Sequence, residues 1–132
     1  VLQPKSIADG IGRLAAKNEG LNLAVDESER PRGLVLRIDG RLDSNNSGDF
    51  REFASEVLRE AHAFGGLVID ISKVGYISST GVGALTFLLA DAKRHEIPFY
   101  LQGMTEHTKS VFDVLGFTSF FSCIDANGDR QP

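Results

Sequence analysis

The sequence predicts an α/β fold with a mainly parallel β-sheet of about five strands and successive β-α units side by side. Three observations support this. Short apolar runs of strand length alternate with longer runs whose apolar residues recur at helical spacing. Residues 67–71, Leu-Val-Ile-Asp-Ile, are nearly continuous and β-branched, as in a central strand covered on both faces. The elements follow the order β-β-α-β-α-β-α-β, which calls for right-handed crossovers between parallel strands.

A chain of 132 residues suits one domain, and 42% hydrophobic with 24% charged residues can form a core without disulfides or metal. Residues 1–20 mix glycines, Pro4 and small polar residues, and are expected to be an extension or linker outside the core fold. Ile7, Ile11, Leu14 and Ala15 have the spacing of a short amphipathic helix. The folded unit is expected over residues 21–132, with an ordered core over about 21–124. Leu21, Leu23 and Val25 alternate as a first strand, and the polar stretch 26–33 is predicted as a turn. Leu34, Leu36 and Ile38 alternate as a second strand ending at Gly40, paired antiparallel with the first. A polar loop over residues 41–48 leads into the first predicted helix of the core, which runs to about His62. Its apolar face carries Phe50, Phe53, Ala54, Val57, Leu58 and Ala61.

Gly65 and Gly66 end that unit, the central strand follows, and a short loop is predicted after Ile71. The second predicted helix carries Val82, Leu85, Leu88, Leu89 and Ala92 on one face and closes with Lys93, Arg94 and His95. A short strand is predicted over residues 98–102. A third helix starts at Thr105, faces inward with Thr108, Val111, Phe112 and Leu115, and stops at Gly116. Residues 120–124 form the last predicted strand, and 125–132 a polar tail.

The distinctive stretch lies where the central strand meets the second helix. Ser78, Ser79 and Thr80 precede Gly81 and Gly83. A helix start exposes unpaired N–H groups and the positive end of the dipole, so hydroxyl residues are favoured there as caps. The same geometry suits an anion, including a phosphate carried on one of the hydroxyls. The glycines allow close approach of a neighbouring element or a partner. On spacing alone, a capped helix start is the simpler reading.

Catalytic and cofactor motifs are absent. A dinucleotide fingerprint fails because Thr86 stands where the third glycine belongs. No P-loop and no Gly-x-Ser-x-Gly elbow occurs. His62, His95 and His107 lack the spacing of a metal site, and no second group is placed to make Asp70 or Asp91 a catalytic acid. No enzyme activity, metal or cofactor is expected. The formal charge of −4 and the lack of a basic, aromatic cluster argue against a nucleic-acid surface. No run is long enough to insert in a membrane. The single Cys123 and the lack of a signal segment fit a cytoplasmic, reducing compartment. Val1 in place of Met is compatible with a piece of a longer chain.

Taken in order, LVLRIDGRLDSNN, LVIDISKVGYISSTGVGAL and VFDVLGF resemble the STAS domain family, the module shared by anti-sigma factor antagonists and sulfate-transporter tails. The resemblance covers residues 21–124 and implies the STAS fold. Aligned on Gly81, the family's phosphoacceptor position falls on Ser79 and the hydroxyl after it on Thr80. The acid that usually precedes the acceptor is replaced by Ser78, which makes Ser78 and Thr80 alternate acceptors. The resemblance places Asp43, Ser44 and Asn45 beside the phosphosite, as part of a partner surface with Ser78, Ser79, Thr80, Gly81 and Gly83. It implies an anti-sigma factor serine kinase as partner, bound when the site is unmodified and released by phosphorylation, with a phosphoserine phosphatase as a further partner. The alternative is a STAS scaffold or sensor piece that is never phosphorylated.

Overall fold

The computed structural model describes residues 5–18 and 20–131. Helix α1 (Lys5–Lys17) leads into strands β1 (Leu21–Glu29) and β2 (Arg32–Leu42). Helix α2 (Ser47–Ala61), strand β3 (Leu67–Ile77), helix α3 (Ser79–Arg94), strand β4 (Phe99–Gln102), helix α4 (Glu106–Leu115) and strand β5 (Cys123–Ile124) follow. The sheet order is β1-β2-β3-β4-β5. Among the named strands of the described residues, β1 and β2 pair antiparallel and the other three pairings are parallel. This is the mainly parallel α/β sheet that the alternation of periods predicts.

Strand alternation sets the core. Leu34, Leu36 and Ile38 of β2 join Leu67, Ile69 and Ile71 of β3 in the main apolar cluster beneath the helices. The predicted helical faces supply its other side. All six apolar residues named for α2 are buried, as are all five named for α3. In α4, Thr108 and Phe112 are buried, while Leu115 is 37% exposed at the last turn. Gly116 closes α4 with φ 78°, a left-handed conformation that glycine adopts without a side-chain clash.

Four boundaries differ from the sequence expectation. The predicted turn over residues 26–33 is mostly strand. Asp26 pairs with Val35 and Glu29 with Arg32, leaving only Arg30 and Pro31 to turn. Polar residues are tolerated there because β1 is an edge strand. The predicted loop after Ile71 is also strand, reaching Ile77. Its buried residues, Ile71, Val74 and Ile77, recur every third position, and two register irregularities interrupt the pairing with β2. The alternation that identifies a strand is lost at such irregularities. The last predicted strand shrinks to two residues, because residues 118–120 form a 3-10 turn instead.

The fourth difference concerns the ends. Residues 5–17 form a helix that packs into the core, not an extension outside it. Ile7 and Leu14 are buried and Ile11 is partly buried against the same cluster. Gly10 lies on the Phe53 ring, where an added Cβ would come within 2.6 Å. Spacing 7-11-14 gives one apolar stripe, which covers surface left open on β1 and α2.

The chain end is likewise no loose tail. Residues 125–131 turn back and are tied at both sides. Arg30 Nη2 meets Asp129 Oδ1 at 2.5 Å. The Gln131 side chain donates to the Met104 carbonyl at 2.9 Å and accepts from the Met104 N–H at 3.1 Å. This strap borders a second, small cluster of Val35, Val68 and Ile124 with Tyr100, apart from the main core. Removing the two Gln131 bonds should loosen it. Gln131→Ala is expected to lower stability by about 1–2 kcal/mol, read as a lower urea midpoint with an unchanged slope.

Candidate functional site

The site is built at the carboxyl ends of β2 and β3, where Leu42 pairs with Ile77. In a parallel sheet the loops leaving these ends come together. Two chain segments meet here, the loop after β2 and the start of α3.

The loop over residues 43–46 is rigid through its own hydrogen bonds. Asp43 Oδ1 accepts from the Asn45 N–H at 2.9 Å and from the Asn46 N–H at 3.2 Å. Asn46 Oδ1 accepts from the Asp43 N–H at 3.0 Å, and its Nδ2 donates to the Arg41 carbonyl at 3.0 Å. Arg41 Nε pairs with Asp43 Oδ2 at 3.2 Å. Ser44 and Asn45 are left exposed on the rim. Asn46, which is 3% exposed, organises the loop. The Asx-rich sequence of this loop suggests side chains that bond the local backbone before a helix, and Asn46 is one that does so.

Helix α3 begins against this loop. The Ser78 N–H donates to the Leu42 carbonyl at 3.0 Å, and the Ser78 hydroxyl accepts from the Gly81 N–H at 3.2 Å as the helix cap. Ser79 and Thr80 occupy the first turn, both exposed, and neither hydroxyl has a hydrogen-bond partner among the described residues. No acidic residue lies in that turn. The three hydroxyls therefore differ: one is structural and two are free.

The two glycines differ as well. Gly81 is buried; an added Cβ would lie 2.7 Å from the Leu42 carbonyl oxygen and 2.8 Å from Ile77 Cγ1. Its bareness serves packing inside the molecule rather than a partner surface. Gly83 is exposed with nothing within 4 Å.

Helical spacing extends the free surface. Ser79, Gly83 and Phe87 are all exposed at intervals of four. Phe87 is 43% exposed and carries the Arg51 guanidinium of α2 over its ring, 4.7 Å from the centroid. Arg51 has no carboxylate partner among the described residues. Sequence reasoning passed over this pair, yet Phe87 stands off the apolar face of its helix, which was the available sign. Lys73, the basic residue nearest Ser79 in sequence before it, lies on β3 opposite Asp39, six positions before the helix start.

Among the described residues, no group of three His, Cys, Asp or Glu side chains could hold a metal ion. Burial pushes the Cys123 thiol up, away from the reactive thiolate. No helix among the described residues is long and apolar enough to cross a membrane.

Comparison with known proteins names the fold. The family described as Mlab, STAS domain matches residues 25–122. The chain belongs to the STAS domain family. Its structure is similar to that of the anti-sigma factor antagonist SpoIIAA in its unphosphorylated form. The TM-score is 0.63 at 18% identity, covering 79% of this chain and 87% of that one. The phosphorylated form of SpoIIAA, the Bacillus cell fate determinant, gives a TM-score of 0.58 at 18% identity over 79% and 90%. A sulfate transporter family protein from Wolinella succinogenes gives 0.55 at 17% identity over 65% and 68%. At 17–18% identity these likenesses show the shared fold.

Two paired substitutions separate structural groups from free ones. Gly81→Ala should destabilise the STAS domain by about 1–3 kcal/mol, since a backbone carbonyl must move. Gly83→Ala should be neutral or stabilising by up to about 1 kcal/mol. Ser78→Ala should cost about 1 kcal/mol as a lost cap, and Ser79→Ala nothing measurable. Chemical denaturation of the four variants checks both orders.

Proposed function

We propose that this STAS domain is an anti-sigma factor antagonist whose binding is switched by phosphorylation of Ser79. The observation that carries the reading is the division of labour at the helix start. Ser78 is engaged as the cap, while Ser79 projects freely from the first turn beside the rigid 43–46 loop.

The chemistry follows from charge. Unmodified, the surface of Ser44, Asn45, Ser79, Thr80 and Gly83 is small and neutral, bordered by the Asp43 carboxylate, which Arg41 already balances. It docks on a kinase-type anti-sigma factor and so frees the sigma factor. That partner transfers the terminal phosphoryl group of ATP to the Ser79 oxygen, releasing ADP and the hydroxyl proton, and a phosphoserine phosphatase hydrolyses the ester with water to inorganic phosphate. Phosphorylation adds roughly −1.5 to −2 charges at neutral pH. The unpaired N–H groups and positive dipole end of α3 offset that charge in the free domain, so the fold need not change. In a tight interface the same charge is desolvated and faces partner groups chosen for a neutral surface. The domain is the substrate of this chemistry and performs none itself. Phe87 and Arg51 extend the docking surface two turns along α3, with the aromatic and arginine types that anchor interfaces.

A second reading keeps the domain as a scaffold that is never phosphorylated. It is favoured by Ser78 in place of an acid and by the likeness to the transporter-type STAS structure. Peptide mass spectrometry of the protein recovered from its native cells, with and without stress, separates the two. Phosphate on Ser79 is expected. Phosphate confined to Ser78 would shift the alignment by one residue, and none under any condition would leave the scaffold reading standing. Against the kinase-type partner so identified, Ser79→Asp should weaken binding by about 2–4 kcal/mol with the unfolding midpoint unchanged. Phe87→Ala should weaken it by about 1–2 kcal/mol. Titration calorimetry measures both, and an affinity indifferent to Ser79→Asp would rule the switch out.

A further inference from the structure

We propose that Arg51 is the internal partner of a phosphate on Ser79: on modification its guanidinium leaves the Phe87 ring and closes on the phosphoserine of the same chain. This rests on the switch reading above and adds to its regulation, since modification then withdraws a docking group as well as adding charge. Helices α2 and α3 follow neighbouring parallel strands and start from the end where Leu42 pairs with Ile77. Counted from Ser47 and from Ser79, Arg51 is the fifth residue of α2 and Gly83 the fifth of α3. The two helices meet on this face through the Arg51 guanidinium, 4.7 Å from the centroid of the Phe87 ring. Ser79 lies one turn before Gly83 on the same exposed line, about 6 Å along the axis. The long, flexible stem of an arginine spans such a step. Gly83 puts no side chain in the way, and even an added Cβ would meet nothing within 4 Å.

Charge singles out Arg51. Its neighbours three and four positions away on the helix are Ser47, Gly48, Ala54 and Ser55, none of them acidic. Asp49, Glu52 and Glu56 of the same helix line a groove against α1, together with Arg13 and Lys17. On α3, Asp91, one turn past Phe87, is held by Arg94. Beside Ser79, Asp43 is held by Arg41 at 3.2 Å, and the first turn of α3 has no acid. Arg51 is thus a guanidinium that rests on a ring in place of an anion. An exposed ring holds a cation weakly. A phosphate offers the arginine fork two charged acceptors at once, which is the stronger arrangement. The N–H groups at the start of α3 meet the phosphate from one side, and Arg51 meets it from the other.

Phosphorus NMR of the full chain carrying phosphoserine at position 79, installed during translation, tests this. At fixed low salt, the second ionisation of the phosphate should lie lower in the parent than in Arg51→Gln by about half a pH unit or more. Arg51→Lys should fall between them, because lysine keeps the charge and loses the fork. The helix start is common to all three chains, so the difference reports Arg51. In proton–nitrogen spectra of the parent, the Arg51 Nε–H resonance should move downfield when the phosphate is present. Thermal unfolding confirms that the variants are folded; if Arg51→Gln is not, the Arg51 resonance of the parent decides. An ionisation equal in the parent and Arg51→Gln overturns the proposal, as does an Arg51 resonance that the phosphate leaves in place. Because no kinase is used, either result would remove this contact and leave the switch reading standing. Absence of Ser79 phosphate in native cells would remove the switch and leave the contact as measured.

Discussion

The backbone contact between the end of β2 and the start of α3 is the constraint on which the rest of the working surface depends. The Leu42 carbonyl accepts from the Ser78 N–H, and Gly81 lies against the same carbonyl with no room for a side chain. This approach is closer than any side-chain contact would allow, and it leaves few choices. Position 81 must be bare. Position 78 must turn its hydroxyl inward to cap the helix. The residue after the cap then has to project outward, because the inner side of the turn is filled by Leu42 and Ile77. The position of the free Ser79 hydroxyl is therefore a consequence of main-chain packing, not of a local preference of serine.

In the switch proposed above, the same junction would let a charge act on binding with little effect on the fold. The loop after β2 is closed by the side chains of Asp43 and Asn46 through four hydrogen bonds to backbone groups, so it has no need of anything from α3 beyond the Leu42 contact. The first turn of α3 contains no acid and presents unpaired N–H groups. Under that proposal a phosphate there would meet favourable dipoles in the free molecule, and its cost would arise when a second protein removes water from it. Rigid elements holding a free hydroxyl at a helix start suit a surface switch better than they suit an order–disorder transition.

Away from this surface the molecule is braced on both faces of the sheet. Helix α1 fills the apolar ground between β1 and α2, and the chain end is anchored at Arg30 and at Met104. The Asp113 carboxyl is held below its ordinary value by hydrogen bonds from Thr118 and Lys109. These bonds join α4 to the turn that carries Phe120. Because a lowered carboxyl value favours the charged form, this tie is complete above the ordinary carboxylate range and is lost as pH falls through the folded value. The exposed aromatic is thus set on a firm base.

Much of this was legible in the sequence. Helical spacing identified the buried faces of α2 and α3 residue by residue, and the β-branched run at 67–71 marked the central strand. Those patterns are imposed by the period of each element, so they survive in one dimension. The order of hydroxyls and glycines at 78–83 marked the helix start, and the resemblance of three segments pointed to the STAS family. What only the tertiary structure decided were relations between distant segments. Register irregularities against β2 carried β3 six residues past its last alternating position. The stripe on α1 and the polar chain end acquired their places from surfaces that other elements left uncovered. Above all, spacing by itself does not say which of the three adjacent hydroxyls and two glycines pack inward; the family resemblance alone singled out Ser79. It is the Leu42 carbonyl, thirty-six residues before Ser78 in the chain order of contacts, that makes Ser78 and Gly81 structural and leaves Ser79 and Gly83 free, because only packing determines which side of a helix start faces inward.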